Sequence, residues 1–145
     1  MRRTGICLTV FPDRLGPLTK AYRDQNLKPG VNFARHFRNT WIRIPLKSRR
    51  ALLKYWRISP GRLQIQLSDF RLEKGMGASC MDGGFTLRFR PHYDLLAENM
   101  VASTIAHELA HAYWHSTDAA DPLETEEENE AATNRIAEDW GFPQQ

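Results

Sequence analysis

Between Ala102 and His115 the chain reads ASTIAHELAHAYWH, and this stretch constrains the fold more than any other. Ile105, Ala106, Leu109 and Ala110 make a helix drawn through it apolar on most sides, which places it in an interior. Yet His107, Glu108 and His111 stand in the same turns. Burying such groups without partners costs roughly 2–7 kcal/mol each. A fold that accepts this helix must therefore give the three polar side chains something to bind.

His107 and His111 are four residues apart. At about 3.6 residues per turn they stack on one helix face, offset by about 40° around the axis. Two imidazoles so placed can share a zinc ion, which takes nitrogen ligands at about 2.0–2.1 Å. Glu108 lies at the edge of that face, where a carboxylate can reach a water on the metal without binding the metal itself, the geometry of a general base. With five His and nine Glu in 145 residues, an HExxH pattern would arise by chance roughly one time in a hundred.

Two protein ligands do not make a catalytic zinc site, so a third is required. Completion by a histidine six residues past His111, with a glycine three residues past it, is excluded, because those positions are Thr117 and Trp114. The alternative is a glutamate on a following helix, and ETEEENEAATNRIAEDW offers Glu124, Glu126, Glu127, Glu128 and Glu130.

HELAH followed by NEA resembles the gluzincin metallopeptidases, the group of thermolysin and the zinc aminopeptidases. In those aminopeptidases the ligand glutamate follows the second histidine by eighteen residues, in an Asn-Glu context. Eighteen residues past His111 is Glu130, within Asn129-Glu130-Ala131. The resemblance implies a site of one zinc ion per chain on His107, His111 and Glu130, with Glu127 and Glu128 as alternatives for the last. Thermolysin-like members carry an Asp one turn after the ligand, where it orients a zinc histidine. Asn134 stands there, an amide that brings no charge to that role. Upstream, GMGASCMDGGFTL begins 32 residues before His107. It takes a place similar to the GAMEN edge strand of the aminopeptidases, which pairs with extended substrate, but it has no counterpart to that motif's acidic residue. The small ImmA/IrrE-like peptidases are similar in using a few strands, an HExxH helix and a glutamate helix.

Other polar residues have plainer readings. His115, one turn beyond His111, reads as a solvated helix-end histidine. Glu126, Glu127 and Glu128 read as an acidic first turn, favourable at a helix N-terminus. His92 and Tyr93 follow a strand and are candidates for stabilising an oxyanion or contacting substrate. Tyr113 and Trp114 read as packing residues.

Periodicity places the rest. Residues 17–27 read as a short helix stopped by Lys28-Pro29-Gly30, and a second helix over 32–41 carries Phe33, Phe37 and Trp41 at four-residue spacing. Pro45 opens a third, with Leu46, Leu52, Leu53 and Trp56 as its apolar face and Ser59-Pro60-Gly61 as its end. RLQIQLSDF and GGFTLRFRP alternate apolar and polar residues as half-buried strands do. Residues 74–84 read as a Gly-rich loop, 95–115 as the HExxH helix, 117–124 as a loop, and 125–140 as a last helix terminated by Gly141. The expected fold is α+β and zincin-like: a small antiparallel sheet packed on the HExxH helix and the glutamate helix, with extra N-terminal helices. One domain spans 1–145, with a basic helical part over 1–61 and a catalytic core over 62–145.

Charge divides the same way. Residues 1–72 hold 16 Lys/Arg and three acids, whereas 73–145 hold four Lys/Arg and 14 acids. The halves either face each other in one compact domain or leave a basic surface for nucleic acid. No apolar run approaches the roughly 20 residues that span a bilayer. The MRR start is followed only by ICLTVF before Pro12, too short for a signal segment. The expected location is cytoplasmic, with Cys7 and Cys80 reduced and structural.

The expected activity is zinc-dependent endopeptidase cleavage of a protein or peptide in a shallow cleft between the strands and the HExxH helix. Zinc acidifies and positions water, and Glu108 carries its proton to the leaving amine. HELAHAYW is also similar to the start of the motif in SprT-like DNA-associated proteases, but those use a later histidine as third ligand and none follows His115. A non-catalytic module with structural zinc is the remaining alternative. It gives Glu108 no role.

Overall fold

The structure is a computed structural model that describes residues 8–10, 30–58, 63–67, 78–117 and 126–144. The readings of a helix over 17–27, of the Ser59-Pro60-Gly61 stop, of the 118–124 loop and of Cys7 lie outside the described residues. In chain order the elements are strand β1 (Leu8–Val10), helices α1 (Val31–Arg43) and α2 (Leu46–Trp56), strands β2 (Gln64–Leu67), β3 (Ala78–Met81) and β4 (Thr86–Phe89), and helices α3 (Glu98–Ser116) and α4 (Glu126–Asp139). Short 3-10 turns at Asp82–Gly84 and Pro91–Leu95 flank β4. The α+β class holds. No helix among the described residues is long and apolar enough to cross a membrane.

The sheet differs from expectation. Its order is β1-β2-β4-β3, with β2 parallel to both β1 and β4, and only β3 antiparallel to β4. The expected antiparallel sheet is therefore a mixed one. The cause is β3 itself, a four-residue strand within the stretch read as a loop. It reverses the chain beyond β4, and the tight turn Asp82–Gly84 reverses it again, so β2 and β4 run the same way. β3 is left as an edge of the described sheet.

Alternation then sorts the faces. Ile65, Leu67, Leu87 and Phe89 are fully buried on one face, with Ala78 opposite Phe89. Phe33 and Phe37 of α1 pack their rings against Phe89, with the Phe33 centroid 4.9 Å away. Trp41 and Trp56 stack at 5.8 Å, joining α1 to α2. Leu46, expected on the apolar face of α2, is 51% exposed. Six residues before Leu52 it lies about 120° around the axis from the buried stripe.

Two long-range contacts set the HExxH helix and α1 in place. Gly84, at φ +94°, lies so close to α3 that a Cβ there would come within 2.9 Å of Ala112 Cα. Trp56 Nε1 and the Tyr55 hydroxyl hold this turn by donating to the carbonyls of Gly84 and Gly83. At the other end of the core, α1 has no side-chain cap of its own. The buried Asp94 carboxylate accepts the amides of Gly30 at 2.8 Å and Phe33 at 2.6 Å instead. Asp94→Ala leaves two buried donors without a partner, an expected loss of about 3 kcal/mol. In a thermal melt that is a midpoint lower by roughly 10 °C, and Asp94→Asn, which keeps one acceptor oxygen, falls in between.

The basic part, expected to be helical, instead gives the sheet its strand β1 at Leu8–Val10, and only its described stretch over α1 and α2 is helical, with most of its cations outward. From Val31 to Arg57 there are eight Lys/Arg and no acid, and Arg35, Arg38, Arg43, Lys47, Arg50, Lys54 and Arg57 are exposed. On α4, Glu127, Glu128, Glu130, Glu138 and Asp139 are exposed as well.

Candidate metal centre

Helix α3 buries Val101, Ala102, Ile105, Ala106, Leu109, Ala110 and Ala112 and carries the polar triplet inward with them. Helix α4 packs along it and brings Glu130 across the histidines. Glu130 Oε1 lies 2.8 Å from His111 Nε2, and Oε2 lies 3.1 Å from His107 Nε2. One ligand atom from each of the three residues falls within 4.8 Å of the other two. Ligand atoms this close can share one metal ion. The group that assembles contains Glu130 and not Glu127, Glu128 or His115. His115 is exposed at the end of α3, and Glu124 lies outside the described residues.

The hydrogen bonds behind the rings define their tautomers. Thr133 Oγ1 donates to the Asn129 carbonyl at 2.8 Å, so toward His111 Nδ1, 3.2 Å away, it can only accept. Gln144 Nε2 faces the carbonyls of Ser103, Phe142 and Pro143, which turns Oε1 toward His107 Nδ1 at 3.0 Å. Both Nδ1 atoms thus face an acceptor oxygen, which leaves the Nε2 atom of each ring directed at Glu130. Two Nε2 atoms and two carboxylate oxygens converging at such distances form a donor set that a cation can share. Burial, ahead of the opposing pull of Glu130, lowers the His111 pKa and disfavours a proton in that role. A divalent metal fits the donor set.

Glu108 is buried beside this group, and its Oε1 has no hydrogen-bond partner among the described residues. Burial, and then the negative charge of Glu130, push its pKa up to about 8. Its charge also reaches Cys80 on β3, a free thiol whose pKa burial raises far above the usual range. Burial thus favours the protonated thiol at Cys80.

The two residues after β4 separate. Tyr93 is half-buried against Phe89, bonds Thr104 through its hydroxyl, and feels the charge of Glu108. Burial raises its pKa, so it remains a donor. His92 lies tilted against Tyr93 but is exposed, its pKa lowered by partial burial and by Arg90. Trp114 buries its Nε1 without a partner, and Tyr113 packs on Trp140.

A cleft of about 600 Å³ opens on the ligands, with Asn99, Ser103, Thr104 and His107 of α3 on one side. Glu130 and Asn134 of α4 face them, and Pro143 and Gln144 close the end. This cleft lies between α3, α4 and the residues after α4, and His107 and Glu130 are the ligands that line it. Asn134 lines it, while the residues bonded to the histidine Nδ1 atoms are Thr133 and Gln144. Thr133 was legible in principle, four residues after Asn129 and on the face of Glu130. Gln144 had no local signal. No family model, curated protein or solved structure matches this chain.

Proposed function

We propose that the chain is a zinc-dependent metallopeptidase that hydrolyses peptide bonds in a protein or peptide substrate. The observation that carries this reading is a buried carboxylate, Glu108, whose Oε1 has no hydrogen-bond partner among the described residues, beside three convergent groups, His107, His111 and Glu130. A structural site has no use for such a base. Bound zinc would supply a Lewis acid that polarises a carbonyl and acidifies water. The residues of the chain do the rest. Glu108, with a pKa near neutrality, takes a proton at its open Oε1 and returns it to the leaving amine. Thr133 and Gln144 hold the two rings in the ligand tautomer. Tyr93, protonated and within the field of Glu108, is the candidate donor to an oxyanion. The edge strand β3 offers backbone groups to an extended substrate, which favours a protein segment over a small molecule.

Chelation tests the reading directly. Cleavage of an unfolded protein substrate should stop on removal of metal and return with one equivalent of zinc. Cleavage that survives complete chelation would remove zinc from the proposal.

The exposed cations of α1 and α2 favour a second reading for the same molecule, an anionic polymer such as DNA as a partner. Binding should weaken steeply with added salt. No binding at low ionic strength would discard it.

A further inference from the structure

We infer that the segment from Phe142 to Gln144 is part of the metal centre: Gln144 positions His107, and docking of this segment is coupled to metal loading. The inference rests on the metallopeptidase reading above and adds a regulator of the same site.

The segment is placed by a chain of contacts that starts at the end of α4. Gly141, at φ +96°, closes the helix with the amides of Gly141 and Phe142 bonded to the carbonyls of Glu138 and Ala137. This turn sends Phe142 into the core, where it is 1% exposed. The Arg43 guanidinium lies 4.4 Å from its ring centroid. Two residues later Gln144 reaches α3. Its amide nitrogen faces three backbone carbonyls, including Ser103 of α3, and its oxygen accepts the His107 Nδ1 proton.

The two ligand histidines are thus supported differently. His111 leans on Thr133, three residues from Glu130 on the same helix, so its support arrives with the third ligand. His107 leans on a residue beyond the helix, held by a short docked segment. Undocking releases the His107 ring to rotate and to exchange tautomers, while Glu130 and His111 stay in place. By linkage, whatever docking adds to metal affinity, metal adds to docking. Pro143 and Gln144 also wall the cleft, so the same movement would change its shape beside His107 and Glu130.

The test is zinc affinity of the full chain by competition with a chromophoric chelator. Gln144→Ala should bind zinc about 10- to 100-fold more weakly than wild type, with an unchanged melting midpoint for the metal-free protein. Gln144→Glu, whose carboxylate accepts the same imidazole proton, should restore wild-type affinity or exceed it. Zinc should also slow hydrogen exchange at the amides of Gly141 and Phe142 in wild type more than in Gln144→Ala. Equal affinity of wild type and Gln144→Ala overturns the inference while leaving the zinc site standing. A Gln144→Glu chain as weak as Gln144→Ala overturns it too. A wild-type chain that binds no zinc defeats both this inference and the reading it rests on.

Discussion

Glu108→Gln should cleave substrate roughly a hundred- to ten-thousand-fold more slowly than wild type, the range a positioned general base contributes. It should still hold one zinc per chain. The amide matches the carboxylate in size, so the apolar surroundings of α3 are kept, and only the ability to take a proton is lost. Unchanged cleavage would sink the mechanism.

The same substitution has a stability signature with a definite sign. In the metal-free fold Glu108 keeps its proton up to about pH 8, whereas an ordinary carboxyl releases it near 4.5. Between those values the unfolded chain binds fewer protons than the folded one, so wild type loses stability as pH rises through that window. Gln carries no such dependence. Glu108→Gln should therefore melt progressively higher than wild type as pH climbs from about 4.5 to about 8, by up to a few kcal/mol at the upper end. Buried carboxylates that cost stability are expected where they serve chemistry.

What could be read beforehand follows from how local each signal is. The HExxH helix and the glutamate helix were legible because periodicity acts along the chain, while Glu130 was singled out among its neighbours by the spacing that the resemblance to the zinc aminopeptidases implies. β3 was not, since four residues among glycines give too short an alternation to tell from a loop. Missing that one strand reversed the inferred direction of β2 against β4. Asp94 capping α1 from more than 60 residues away, and Gln144 reaching His107 from beyond α4, are products of packing alone. The basic composition was plain in the sequence, but only the fold shows that the cations of α1 and α2 point to solvent.

Glu130→Gln should lose the metal. The carboxylate contributes the only negative charge among the three ligands and spans both histidines at 2.8 and 3.1 Å. An amide keeps the shape but removes the charge, and its NH₂ must face one of the two Nε2 atoms. Since loss of a supporting partner behind a ligand already costs about 10- to 100-fold in affinity, loss of a ligand should cost more, and cleavage should vanish with the zinc. Thr133 and Gln144 would still hold the rings, so the fold should remain.

The most direct measurement is a zinc titration of the metal-free chain, wild type beside Glu130→Gln. The expected result is one saturable site per wild-type chain and none of comparable affinity in the variant. A wild-type chain that takes up no zinc, or a Glu130→Gln chain that binds it as tightly as wild type, would contradict the assignment of this site.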